Sequence, residues 1–203
     1  MSQVITRKGE VLQDPPFIKK LLGDTRFGWL WLLPRLWLGW QWIDASSHKI
    51  TSAGWMQTGE SLKSFWATQL ASKAIGFDWY RSFLQGMMDA QAYTWFAKVV
   101  AIGELAVGVA LILGAFTGIA AFFGGFMNWN FMMAGSASVS PLYFVIAVGL
   151  ILAWKVSGYI GADFFLLRWI GTPWRNPVVK VPATTPAGSQ VPATAMPSVA
   201  SGK

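Results

Sequence analysis

Residues 95–116 read WFAKVVAIGELAVGVALILGAF, an apolar run broken by only two charges, Lys98 near its start and Glu104 further in. Its length falls within the roughly 17–25 residues that an α-helix needs to cross the hydrocarbon core of a bilayer. Glycines at 103, 108 and 114 recur along it. Small residues of this kind let helices approach closely where lipid offers no hydrophobic drive for association.

Working outward, three further apolar runs flank this one. Phe27 to about Ile43 is rich in Trp and contains a single charge, Arg35, directly after Pro34. Past a short break at Thr117–Gly118 comes Ile119–Ala134, with Gly124, Gly125, Asn128 and Asn130; a Ser/Gly/Pro loop then leads to Leu142 through about Tyr159. Together the runs predict an all-α integral membrane four-helix bundle over residues 27–172.

The stretch 44–94 is mixed in character and punctuated by Gly54, Gly59, Gly76 and Gly86. Within it Leu62, Phe65, Trp66, Gln69, Leu70 and Lys73 recur at three- and four-residue spacing, which marks an amphipathic helix. An extramembrane or interfacial helical insertion between the first and second spans is the expected structure. Residues 1–26 are polar, interrupted by Pro15 and Pro16, and lack the small-residue cleavage pattern of a signal peptide, so the first span is expected to be retained. Residues 173–203, rich in Pro, Ala, Thr and Ser without apolar periodicity, are expected to form a disordered or extended tail.

Composition agrees with the spans. The chain is 54% hydrophobic and 12% charged, with mean hydropathy +0.43, against roughly 25% charged residues in soluble domains. Many of its 13 Trp flank apolar runs, where an apolar ring with a polar N–H is favoured. The net charge of +7 comes from the tails rather than from a solvent-facing stripe, which argues against nucleic acid. Arg7, Lys8, Lys19, Lys20 and Arg26 precede the first span, Lys155, Arg168, Arg175 and Lys180 accompany the end of the last, and the loop between the third and fourth has no charge. The positive-inside bias therefore places both termini in the cytoplasm, in a multi-pass protein of the cytoplasmic (inner) membrane.

The sequence has no Cys and one His, His48, which rules out disulfide relays, iron–sulfur clusters and bis-histidine haem within the chain. No metal site is expected. Redox chemistry would need an organic cofactor or a partner membrane subunit.

Arg35 and Glu104 are the ionisable residues deepest in the spans, and isolated charges there cost at least about 2.5–3.5 kcal/mol on insertion scales, so both require partners. They form either a structural ion pair between the first and second spans or the lining of a polar cavity for a quinone, proton or anion. Asp44, His48 and Lys49 lie where the first span ends. Helical spacing sets Asp44 beside His48, either as a proton-transferring pair or as a solvated helix end with a snorkelling Lys49. Asn128 and Asn130 point to different faces of a helix; an inward Asn either glues helices together or holds a quinone carbonyl.

Several of these residues fall in motifs. Leu33-Pro34-Arg35-Leu36-Trp37-Leu38-Gly39, continuing to His48-Lys49, resembles the opening of DoxX-family membrane proteins, in which an Arg and a Gly lie in the first span and a Lys follows it. Gly103-Glu104 with its following glycines resembles the family's second helix, and Met127-Asn128-Trp129-Asn130-Phe131-Met132-Met133-Ala134-Gly135 is similar to the third span of the DoxD branch. Two departures stand out, Ser47 where the family often has Gly before the Lys, and the length of the insertion. The resemblance implies four membrane helices and a subunit of a quinone-linked oxidoreductase that passes electrons from thiosulfate or a similar sulfur compound to membrane quinone. Arg35 and Glu104 would then act at the reacting centre, with His48, Lys49, Asn128 and Asn130 around the quinone. The competing expectation is a non-catalytic accessory subunit within a larger respiratory or photosynthetic complex.

Overall fold

The computed structural model describes residues 15–170, together with the backbone of a hairpin pairing β1 (Val4–Ile5) with β2 (Val11–Leu12). The expected tail at 173–203 lies outside the described residues. Apart from that hairpin, the described fold is all-helical. Its elements are α1 (Pro16–Gly23), a 3₁₀ turn (Thr25–Phe27), α2 (Gly28–Ile50), α3 (Ala53–Met56), α4 (Glu60–Ala71), α5 (Asp78–Asp89), α6 (Tyr93–Leu113), α7 (Thr117–Met133), α8 (Ser140–Leu152), α9 (Trp154–Ser157) and α10 (Asp163–Ile170).

Helices α2, α6, α7 and α8 form an up-down-up-down bundle. Gly39 and Ile43 of α2 meet Gly108 of α6, while Lys49, further along α2, meets Glu104, earlier in α6, so the two run antiparallel. The same reversal relates α7 to α8, where Gly118 faces Trp154 and Gly125 faces Ala147. Leu38, Trp42, Val107, Leu111, Ala121, Ala147 and Leu150 fill the core. A second core, around Leu62, Trp66, Tyr80, Leu84, Tyr93 and Ala97, seats α4 and α5 on the bundle as a cap.

Local chemistry explains the element ends. Gly114, at φ +65°, closes α6 in the left-handed conformation, and the Ala115 N–H returns to the Ala110 carbonyl. Glycine adopts this conformation without the steric cost of a Cβ. The first long helix does not stop near Ile43. No Gly or Pro follows until Gly54, and α2 continues through Asp44, His48 and Lys49 to Ile50. The last apolar run, expected to be continuous to Tyr159, is broken at Ala153, and its end re-forms as the single turn α9.

Among the described residues, helix α6 alone is both long and apolar enough to cross a membrane by length and composition. Large apolar side chains are nevertheless exposed on all four long helices, among them Trp40, Val99, Phe122, Phe123 and Val145. Helices α1 and α10 both lie at the end of the bundle opposite the cap, since α1 packs on α9 and α10 docks at the α6–α7 turn.

Candidate functional site

The tightest helix crossing sets the level of everything else. A Cβ on Gly108 would stand 2.7 Å from Ile43 Cγ1 and 2.9 Å from the Gly39 carbonyl oxygen. Arg35 lies four residues before Gly39 and Glu104 four before Gly108. Because α2 and α6 are antiparallel, these offsets run in opposite directions and separate the two residues by about 12 Å along the bundle axis at 1.5 Å per residue. The anticipated Arg35–Glu104 pair is therefore not formed, and the charges belong to two different centres.

On the cap side, Lys49 Nζ donates to Glu104 Oε2 at 2.6 Å. The pair is buried unevenly, with the Glu104 side chain 1% exposed and that of Lys49 20% exposed. Lys49 also lies 5.3 Å from the centre of the Trp55 ring on α3, which partly covers it. A helical Cβ tilts toward the helix N-terminus, so the lysine stem leads back down α2 toward Glu104.

The surrounding layer is polar and buried. Gly124 of α7 faces both Trp42 of α2 and Val107 of α6. One helical turn further toward the cap, the same three helices bring Ser46, Glu104 and Asn128, each no more than 2% exposed. Ser46 donates to the Ile43 carbonyl. Trp42 Nε1 and Asn128 Nδ2 are buried donors without a partner, a costly state that in native proteins usually signals a bound water, ion or ligand oxygen.

Beside this layer, between the cap and the bundle, is an apolar cavity of about 280 Å³. Val100 and Met127 belong to its wall, the first one turn from Glu104 and the second adjacent in sequence to Asn128. Its polar end is Tyr80 with Asn130. The Tyr80 hydroxyl lies 3.1 Å from both the backbone and the side-chain oxygen of Asn130, and its single proton can serve one of them at a time. Burial pushes the Tyr80 phenol up to about 12, which keeps it a neutral donor. Asn130 Nδ2 donates to the Phe126 carbonyl.

The second centre, at the opposite end, is a clamp. Arg35 is buried and donates from Nη1 to the Ser157 carbonyl at 2.7 Å and from Nη2 to the Ile160 carbonyl at 2.8 Å. Gly114 leaves room for it, since a Cβ there would meet the guanidinium. Asp163 completes the clamp by accepting the N–H groups of Phe116 and Thr117, a carboxylate set against the N-terminus of α7. Arg35 thus holds the chain beyond α8 and Asp163 fastens α10 to α7. Asp163 was not anticipated, because it lies beyond the last apolar run and carries no local motif.

The structure therefore gathers Lys49, Glu104 and Asn128 on one side and sets Asn130 with Tyr80 in the neighbouring cavity. Arg35 is removed to the other end. Asp44 and His48 are both exposed, and no hydrogen bond joins them. No family model, curated protein or solved structure matches the chain.

Proposed function

We propose that the chain is a DoxX/DoxD-like multi-pass membrane protein and the quinone-binding subunit of an oxidoreductase whose electron donor is thiosulfate or a similar small sulfur anion. The observation that carries this reading is the buried Lys49–Glu104 pair, set in a layer with two unpartnered donors, with Val100, one helical turn from Glu104, in the wall of an apolar cavity. The many large apolar side chains exposed on every long helix support the membrane assignment, since extensive exposed apolar surface marks membrane or protein contact. Charge supports the orientation. Among the described residues outside the spans, the terminal end carries Lys19, Lys20, Arg26, Lys155 and Arg168 against Asp24 and Asp163, whereas positive and negative residues balance at the cap end. The terminal end then faces the cytoplasm.

The residues suit a quinone. The cavity is large enough for an aromatic headgroup and walled by Phe, Trp, Leu and Met side chains. Tyr80 can turn its proton from one Asn130 oxygen to a ligand carbonyl, giving up one hydrogen bond and gaining another. Bound quinone would supply the two-electron, two-proton acceptor. Glu104 and Lys49 hold an exchangeable proton between Oε2 and Nζ, and the partly exposed lysine connects that proton to water at the cap. Asn128 and Trp42 offer N–H groups that stabilise oxygen at the same level.

The test is reduction of a soluble quinone with thiosulfate by protein purified from its native membrane in mild detergent. Glu104→Gln is expected to abolish turnover in a protein that remains folded, and unchanged turnover removes Glu104 from the mechanism. A second reading, an accessory subunit of a larger respiratory or photosynthetic complex, draws on the fact that Tyr80, Asn130 and two nitrogens of Arg35 already have internal partners. Stoichiometric recovery in a large complex, with no turnover in isolation, would favour it.

A further inference from the structure

At the terminal end, α1, the 3₁₀ turn and α9 border an open cleft of about 650 Å³ that none of the foregoing chemistry uses. Its cations are Lys19 and Lys20 from α1 and Lys155 from α9, and Asp24 is its one carboxylate. Asp24 already accepts the Arg26 backbone N–H. Among the described residues none of the three lysines forms an ion pair; Lys155 lies over the Trp154 ring at 5.5 Å. The cleft is held in shape, because Trp31 Nε1 donates to the Leu21 carbonyl and ties α1 to α2.

We propose that this cleft binds the headgroup of an anionic phospholipid. The inference rests on the membrane reading above and is independent of the quinone chemistry. Two observations favour a lipid over a free anion. Helix α1 has no buried residue, and its Phe17 is 68% exposed beside the lysines, an apolar surface that a lone phosphate leaves uncovered. Exposed Trp29, Leu30 and Leu33 on α2 also begin directly after the 3₁₀ turn that borders the cleft, in position to meet acyl chains. An amphipathic helix with Lys on its polar face and Phe and Ile on the other lies in the membrane interface. Each lysine near an anionic surface contributes roughly a fivefold preference, so three together give about 100-fold.

The full chain is reconstituted in nanodiscs of phosphatidylcholine and phosphatidylglycerol at four to one, extracted in mild detergent, and its retained lipid counted by native mass spectrometry. The wild type is expected to keep phosphatidylglycerol about 100-fold above the mixing ratio. The triple variant Lys19→Gln/Lys20→Gln/Lys155→Gln should fall to near that ratio, while Lys63→Gln on the cap matches the wild type. Both lipids retained in proportion to the mixture, or a triple variant that still selects phosphatidylglycerol, would overturn the proposal. Displacement of the lipid by millimolar inorganic phosphate would do the same, by revealing a site for free anions. Carbonate extraction separates the two levels of failure. A chain that resists extraction but shows no lipid preference sinks the cleft alone, whereas a chain released by carbonate sinks the membrane reading with it.

Discussion

Removing Lys49 should harm the protein more than removing Glu104, and the difference follows from their unequal burial. Lys49→Met leaves a carboxylate 1% exposed with its 2.6 Å counter-charge gone. Stranding a buried charge in this way costs about 3–5 kcal/mol. Glu104→Gln instead strands an ammonium that is 20% exposed and has a flexible stem with which to reach water. The amide can still accept from the lysine, so the loss should be close to that of an ordinary hydrogen bond, about 1–2 kcal/mol. The double variant Lys49→Met/Glu104→Gln removes both charges and should recover most of the stability lost in Lys49→Met. The assay is equilibrium unfolding in mixed micelles with rising dodecyl sulfate, followed by Trp fluorescence. Equal losses in the two single variants, or a double variant as unstable as the sum of both, would refute the claim that Glu104 is the buried partner and Lys49 its compensating charge.

Other consequences are equally open to measurement. Gly108→Ala should destabilise the bundle by about 1–3 kcal/mol, because its new methyl group meets Ile43 and backbone below 3.0 Å, whereas Gly39→Ala, whose nearest contacts are 3.1 Å and include the flexible Ile112 side chain, should cost less in the same unfolding assay. Arg35→Gln should raise amide hydrogen exchange across α9 and α10 and, on the proposed quinone reading, leave quinone affinity unchanged, since the guanidinium holds the Ser157 and Ile160 carbonyls far from the cavity. Tyr80→Phe should cost about 1 kcal/mol and, on the proposed quinone reading, weaken quinone binding, measured by quenching of Trp fluorescence. The phenol's folded value is raised to about 12, above its unfolded value near 10. The stability this contributes is complete below about pH 10 and lost as pH rises through 12, so spectroscopic titration should find Tyr80 unionised at pH 10.5.

The sequence was informative where a residue's own neighbourhood decides its structure. The apolar run at 95–116 corresponds to α6 (Tyr93–Leu113), because helix length is a local property. The turn into α7, however, falls at Gly114–Phe116 and not at Thr117–Gly118, which already belong to α7; the left-handed Gly114 ends the helix. Glu104 was legible as a buried carboxylate, and Lys49 stood out as the cation following the first run. Their pairing was hidden by a boundary error. Asp44–Lys49 reads as a polar exit from the membrane, yet polar residues without a breaker leave a helix intact, and α2 continued far enough to bring Lys49 over Glu104. The place at the flanks of apolar runs that composition suggests for many of the Trp residues does not describe Trp42, which is 4% exposed and points its N–H inward. Nothing near Asp163 announces that it caps a helix 46 residues earlier.

The separation of the two charged centres bears on how such a bundle can combine rigidity with chemistry. At the terminal end, Arg35 and Asp163 satisfy backbone groups that the α6–α7 turn and the break after α8 leave without helical partners. The Asp163 carboxylate and both terminal nitrogens of Arg35 are engaged by the scaffold, while Arg35 Nε and Thr117 Oγ1 are buried there without a partner. At the cap end, by contrast, the central contact is an ion pair with one partly wet partner, and the neighbouring tyrosine has two alternative acceptors. Groups in that state can exchange partners at small cost, as binding an oxygen-bearing ligand and passing on its proton requires. A site built on the Arg35 clamp would have to break its own support to react; one built around Glu104 need only reassign hydrogen bonds.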